Sequence, residues 1–423
     1  MKTLLTIATV LSFAFQAKAD WPRLRGANGD GKAEGKVPIT WSAGKHIAWK
    51  ASLPGPGSSS PIIVGDRVFI TCWSGYGDGS GGGMDQLKRH LLCLNKADGK
   101  ILWDKTVPAV QPEDEYTGFI TEHGYASNTP TSDGKSVFVF FGKSGALAFD
   151  FDGKQLWQTS LGTNSNSRRW GSAASPIVYK DTVIVTAMDE GGAVVALDKK
   201  TGKQVWKAPA EGLELVYSTP VLAGEDLLLP VANELWGFNP DTGKLRWYAT
   251  HELPGNVSPG VAVGPDAVYV TGGFPTRGTV AIKPGGSGDI TQNIQWRASN
   301  ASYVPSPILH DGHLYVIDDQ GFALCINAKT GDEVYRERVM ESGGGGNRRG
   351  GGKPFYASPV LVGGKLYCPS RKNGTFVLAA KPVYEKLAVN ILSDDDSQFN
   401  ATPAVDGNKL YLRSEKALYC IGE

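Results

Sequence analysis

ALDKKTGKQVW, residues 196–206, reads as a complete β-hairpin of strand, turn and strand in eleven residues. Asp198 can accept bonds from backbone N–H groups two residues on, and Gly202 can take the positive φ that closes a tight turn. Apolar Ala196 and Leu197 lead in, and Val205 and Trp206 form the return strand. Near-copies stand at CLNKADGKILW (93–103), AFDFDGKQLW (148–157) and GFNPDTGKLRW (237–247). CINAKTGDEVY (325–335) puts Tyr335 in the Trp position, and AIKPGGSGDITQNIQW (281–296) keeps both strands around a longer turn. The chain is therefore an array of repeats, and its 423 residues describe one continuous architecture rather than two or three domains.

A second element precedes each hairpin: a small residue, then Pro, then an apolar strand. The prolines are Pro61, Pro130, Pro176, Pro220, Pro259, Pro307, Pro359 and Pro403, spaced by 39–52 residues. One interval of 69 residues accommodates the insertion GYGDGSGGGMDQ. Eight units of four short strands predict an all-β fold, an eight-bladed β-propeller of four-stranded antiparallel blades. No segment sustains helical periodicity.

The last unit ends at ALYCIGE with three strands and no aromatic return strand. HIAWK (46–50), with Trp49 in the repeated position, supplies the missing one. The ring is thus expected to be closed by an N-terminal strand, which removes the exposed edges of an open array. The return-strand positions are Trp49, Trp103, Trp157, Trp206, Trp247, Trp296, Tyr335 and Leu387.

Residues 1–19 carry Lys2, an apolar run at 4–15 and Ala17-Lys18-Ala19, the order of a cleavable signal peptide. Twelve apolar residues are too few for a bilayer span of ~20. A soluble periplasmic or secreted protein cleaved between Ala19 and Asp20 is expected, with residues 20–423 forming a single propeller domain and a monomer. Without residues 1–19 the chain holds 41 basic and 42 acidic residues, no electrostatic basis for nucleic acid. RRGGGK (348–353) reads as a solvated glycine-rich loop.

The Ala-Leu-Asp…Thr-Gly-Lys…Trp units resemble the pyrroloquinoline-quinone (PQQ)-like repeat of quinoprotein alcohol dehydrogenases. They are also similar to the propeller subunit of the outer-membrane barrel-assembly machinery. WPRLRGANGDGKAEG (21–35), EHGYASNTP (122–130) and RRWGSAASP (168–176) further resemble exported PQQ-like repeat proteins of planctomycetes. The resemblance implies a propeller and leaves the activity open, since propellers host unrelated functions.

A dehydrogenase of that type would take PQQ with Ca²⁺ and a catalytic carboxylate. Its alcohol dehydrogenases carry an adjacent Cys-Cys pair, whereas Cys72, Cys93, Cys325, Cys368 and Cys420 are all separated, and CxxCH is missing. The cysteines are expected to be structural thiols. Cys93, Cys325 and Cys420 share the slot of Ala148, Ala196, Gly237 and Ala281, and equivalent strands of neighbouring blades lie ~10 Å apart, too far for a disulfide. In the first blade Cys93 is expected opposite Ile70 and Cys72 opposite Leu91. NGDG (28–31), SDDDS (393–397) and the pair His310/His313 make weak metal signals that read better as turns and solvated loops. No GxSxG, HExxH or P-loop occurs, so no catalytic or metal-binding residue is assigned.

The connections from each return strand to the next small-Pro element emerge on one face. Tyr125, Trp170, Tyr217, Tyr303, Tyr356 and Phe399 stand just before that element. The candidate ligand surface is Glu122, His123, Tyr125, Arg168, Arg169, Trp170 and Tyr217, which combines stacking faces with charge. The reading is a non-catalytic scaffold binding a protein, glycan or peptide there. The alternatives are a quinoprotein dehydrogenase, or another enzyme using Glu122, His123 and Arg168. The competing account of the cluster is packing, with Glu122 paired to Arg168 or Arg169.

Overall fold

The computed structural model describes residues 21–210, 212–340 and 353–422. The signal-peptide reading of residues 1–19 and most of RRGGGK lie outside the described residues. Eight antiparallel blades form a ring, and the one α-helix among the described residues is Met188–Gly191. Blades 1 to 7 span residues 62–108, 131–159, 177–209, 221–250, 262–298, 308–338 and 360–390. Blade 8 is built from residues 404–421 and completed by Ile47–Ser52 pairing antiparallel with Ala417–Ile421, so the N-terminal strand closes the ring as the sequence predicts. The fully buried Arg413 of blade 8 reinforces the seam, donating to the Ser59 carbonyl (2.8 Å) and hydroxyl (2.7 Å) ahead of blade 1.

The hairpin motif is explained by contacts between blades. Asp198 Oδ1 accepts the N–H groups of Lys200 (3.1 Å) and Thr201 (2.8 Å), which fixes the turn. Gly202 closes it at φ 69°. In five of the blades the tryptophan then docks on the corresponding turn of the next. Trp49, Trp103, Trp157, Trp206 and Trp296 donate Nε1–H to the carbonyls of Lys96, Phe151, Lys199, Pro240 and Ala328 at 2.9–3.1 Å. A turn glycine lies under each indole; at Gly243, beneath Trp206, any Cβ would overlap the ring. Blade 5 has the longer turn KPGGSGD, whose Gly288–Asp289 pairs parallel with Trp247–Tyr248. Trp247 bonds Asp226 Oδ2 of its own blade at 2.8 Å. A buried indole of this kind contributes about 2–3 kcal/mol by area.

Two registers differ from the sequence expectation. Every return strand bulges one residue before the aromatic, which leaves Leu102, Leu156, Val205 and Val334 exposed. In blade 7 the bulge falls at Leu387, so Ala388, opposite Val377, holds the aromatic slot. The larger Val replaces the small residue found opposite the tryptophans and restores part of the lost volume. In blade 1, Cys93 faces Phe69 and Cys72 faces His90, one residue from the expected Ile70 and Leu91. This is the register that pairs Ile184 with Ala196 in blade 3. All five cysteines are buried and free, and burial raises the Cys72 and Cys368 thiols to about 12.

The eight residues before the repeated prolines all bear hydroxyls: Ser60, Thr129, Ser175, Thr219, Ser258, Ser306, Ser358 and Thr402. They form a circumferential chain. The N–H groups of Ser60, Thr129, Ser175, Ser306 and Ser358 donate to the hydroxyls of Thr129, Ser175, Thr219, Ser358 and Thr402 at 2.9–3.0 Å. Gly260 N–H supplies Ser306 at 2.9 Å. Strand starts that would otherwise leave buried donors unpaired are thereby satisfied by the next blade.

Residues 21–33 occur once and lie along the axis. Trp21 bridges Ile63 of blade 1, Ser132 N–H of blade 2 bonds the Pro22 carbonyl, and Arg25 reaches the Pro307 carbonyl ahead of blade 6. Lys32–Ala33 then pairs parallel with Leu361–Val362 in the inner strand of blade 7. This segment plugs the channel.

Candidate functional site

Above the plug the axis opens as a funnel of about 190 Å³. Arg23, Leu24, Arg25 and Gly29 of the plug line it, together with the hydroxyl ring. Its wall comes from the connections that precede the inner strands: Phe119, His123, Tyr217, Asn256, Tyr303, Tyr356 and Asn400. No Asp or Glu is among the lining residues.

Cations lie against two of the wall tyrosines. Lys353 Nζ stands 3.7 Å and the Arg277 guanidinium 5.1 Å from the Tyr303 ring centre, and both are held by the buried Asp319 (2.9 and 2.6 Å). Arg371 lies 4.5 Å from the Tyr356 ring centre and pairs with Glu122 at 2.7 Å. Burial raises the Tyr217 and Tyr356 hydroxyls well above their ordinary value, so both are neutral donors.

The predicted surface residues separate into three environments. His123 and Tyr217 line the funnel. His123 Nε2 lies 2.8 Å from the Trp170 carbonyl, which can only accept, so Nε2 carries the proton. Nδ1 then accepts from the Ser127 hydroxyl at 2.7 Å. Burial lowers the imidazole to about 4, so His123 is neutral at physiological pH and does not titrate near neutrality. Glu122 stands behind the lining with Arg371 as its partner, and not Arg168 or Arg169 as the competing packing account would have it.

Tyr125 belongs to the core. It packs with Trp73, Tyr76 and Tyr116, donates its hydroxyl to the Asp114 carbonyl at 2.5 Å and has Arg89 5.7 Å from its ring centre. Arg168 and Arg169 are exposed outside the funnel. Arg168 lies 6.0 Å from the Trp170 ring centre, and Trp170 packs tilted at 32° against Phe119, with ring centres 4.6 Å apart. The sequence thus located two lining residues and missed the plug arginines and the hydroxyl ring. The ring had a signal, since every Pro of the repeat is preceded by Ser or Thr.

Next to the funnel lies a smaller polar cavity of about 20 Å³. Arg89 pairs with Glu113 (2.6 Å), Lys143 with Asp114 (3.3 Å), and Asn166 bonds Asp189 (2.8 Å). Burial, with the charge of Asp189, raises Glu190 to about 8. The acidic run at 393–397 is internally used: Asp395 accepts from Ser414 (2.5 Å) and Tyr419 (2.9 Å), while Asp394 and Asp396 pair with Lys50 and Lys416. Among the described residues, no three His, Cys, Asp or Glu side chains are grouped to hold a metal ion.

Eight four-stranded blades bearing this hairpin repeat make the chain a PQQ-like β-propeller. The family described as outer membrane protein assembly factor BamB matches residues 83–229. Tetrathionate hydrolase of Acidithiobacillus ferrooxidans is 22% identical over 364 residues, covering 78% of this chain and 66% of that protein. BamB of Burkholderia pseudomallei is 29% identical over 181 residues, covering 41% of this chain and 44% of its own length. The chain therefore spans two-thirds or less of these relatives. Among solved structures, a europium-containing methanol dehydrogenase superposes with a TM-score of 0.61 at 13% identity, over 93% of this chain and 89% of that one. At that identity the likeness concerns the fold alone. Among the described residues no helix is long and apolar enough to cross a membrane.

Proposed function

We propose that the chain is an exported, non-catalytic scaffold that holds a ligand or partner group in the funnel of its loop face. The observation that carries this is the character of the lining, which offers donors and aromatic faces and lacks a working acid–base pair. His123 is locked neutral between Trp170 and Ser127, and Glu122 is committed to Arg371. An enzyme built on Glu122, His123 and Arg168 would need these groups to converge, and Arg168 stands outside. The relative named as an assembly factor is consistent with a binding role.

The alternative is a quinoprotein dehydrogenase. Its cofactor would need a calcium-type ion, which takes 6–8 oxygen ligands with carboxylates among them. The lining residues include no carboxylate, and the plug occupies the axis beneath them. The cysteines are separated and buried in the blades, so no vicinal disulfide can cover a planar ring. The residues present do not fit PQQ with Ca²⁺.

Incubation with PQQ and Ca²⁺, followed by absorbance and dye-reduction assays on primary alcohols, tests the reading. No alcohol-dependent dye reduction is expected; sustained turnover would overturn it. For export, mass spectrometry of the secreted protein should find an N-terminus at Asp20, and one at Met1 would contradict processing.

A further inference from the structure

We propose that the funnel binds a compact oxyanion, the carboxylate or sulfate-like head group of a small molecule, against Arg25 and Arg23 of the plug. This deepens the scaffold reading and rests on it. Arg25 is only 6% exposed. Its Nη2 donates to the Asp30 carbonyl (2.9 Å) and the Pro307 carbonyl (2.7 Å), while Nε is buried without a partner. Among the described residues neither Arg25 nor Arg23 has a carboxylate at ion-pair distance, and nearby Asp30 pairs instead with Lys32 at 3.4 Å. The charge of Asp30 favours both guanidiniums without making a direct pair, and a buried guanidinium lacking a direct ion pair is a costly arrangement that an incoming anion relieves. Burial lowers both guanidiniums from their ordinary value, Arg25 to about 10, and leaves both charged at neutral pH.

The hydroxyl ring points to the same ligand. Thr129, Ser175, Thr219, Ser306, Ser358 and Thr402 each accept a backbone N–H, and among the described residues none donates its own proton to a protein atom. Six unspent O–H donors and two guanidiniums face a cavity that no carboxylate lines. A carboxylate or sulfate oxygen only accepts, so it can take the guanidinium and unspent hydroxyl donors of this lining, and bonds to a charged acceptor are the stronger kind. A neutral polyol can accept from the same donors but brings no charge to pair with the guanidiniums. A cavity of about 190 Å³ beneath the tyrosines suits a small molecule rather than a folded partner.

Calorimetry and thermal shift with D-glucuronate, sodium sulfate and D-glucose, at ionic strength matched with NaCl, decide it. Saturable binding of glucuronate or sulfate is expected at about 1 mM or tighter, with a raised melting temperature. D-glucose, the same ring without the carboxylate, should bind at least about tenfold more weakly. Binding of both anions assigns the head group alone; sulfate alone points to inorganic oxyanions, and glucuronate alone to sugar acids. Arg25→Gln and Arg23→Gln should each weaken binding by about tenfold or more. Should Arg25→Gln fail to fold, the half-buried Arg23 still gives the readout. Glucose binding as tightly as glucuronate, affinity unchanged in the folded variants, or no binding of either anion up to about 10 mM overturns the proposal. Glucose binding would leave the scaffold reading standing, whereas PQQ-dependent turnover would remove that reading without touching the anion affinity.

Discussion

The outer rim and the axis of this ring are built on opposite principles. At the rim, five tryptophans repeat one contact: an indole on the turn of the next blade, donating to its carbonyl. On the axis, residues 21–33 touch blades 1, 2, 6 and 7 through contacts made once each. Repetition gives the rim its stability, because each blade buries its neighbour's aromatic. The single-copy segment breaks the pseudo-symmetry of the ring and brings charge to its centre. The difference separates what holds the fold from what gives this propeller its own character.

The largest test removes the single-copy segment together with the closing strand. A chain beginning at Leu53 lacks both the plug and the partner of Ala417–Ile421. It exposes a strand edge on blade 8 and the inner face of the channel. It should appear as aggregate on size-exclusion chromatography, with no cooperative melt. A monomer with the parental melting temperature would show that the repeats alone suffice. At the rim, Trp206→Ala deletes the bond to Pro240 and opens a cavity over Gly243. About 3–5 kcal/mol should be lost in urea denaturation. A loss below about 1 kcal/mol would mean that the docked indole is not what joins blades 3 and 4.

The same contrast explains what the sequence reveals. Turn glycines, aromatics and prolines recur at fixed spacing, so the blade number and the N-terminal closure can be read directly. Errors arise where one copy departs. Blade 7 has Ala388 in the aromatic slot, and Leu387, the apolar residue beside it, sits on the bulge. The site is harder to read because it joins residues from distant repeats with a segment that has no copies. Nothing local in WPRLRGANGDG says that Arg25 ends beside Pro307, 282 positions away. Trp170 and Arg168 look functional side by side in sequence. Yet the chain turns between them, with Arg169 at φ 54°, and only Trp170 packs toward the funnel.

Between rim and axis, Glu190 gives a pH signature. Its carboxyl is raised from 4.5 to about 8, chiefly by burial and then by Asp189. The folded state therefore keeps a proton that the unfolded chain releases. Stability from this group is full below about pH 4.5 and falls as pH rises toward 8. Each unit of difference is worth about 1.4 kcal/mol, so the loss across the window is a few kcal/mol. His123 and His251, both lowered from 6.5 to about 4, act with opposite sign and lose stability as pH falls below 6.5. The interval from 6.5 to about 8 isolates Glu190. Melting temperature should drop across it, and Glu190→Gln should flatten the slope; an equal slope in the variant refutes the assignment.

A smaller effect is expected on the inner ring. Ser358→Ala removes the acceptor of the Ser306 N–H and should cost about 1–2 kcal/mol in urea denaturation. An unchanged midpoint would mean that water in the funnel replaces the hydroxyl.

The smallest expected change, at Arg168, draws the line between the loop face and the axis. Its guanidinium is exposed and lies 6.0 Å from the Trp170 ring centre, the outer limit of a cation–π contact, and it has no ion pair among the described residues. Solvent screens such a charge, so Arg168→Ala should change stability by less than about 0.5 kcal/mol. Trp170→Ala differs, because the indole covers Phe119 of the funnel wall and its carbonyl fixes the His123 proton. The alanine variant keeps that carbonyl and loses the ring contact, so a moderate drop in melting temperature should accompany a looser wall. If glucuronate affinity falls in Arg168→Ala as far as in Arg23→Gln, the ligand extends out of the funnel onto the loop face. If only the plug variant loses affinity, the charge that matters is on the axis, and the exposed Arg168–Trp170 pair is rim surface.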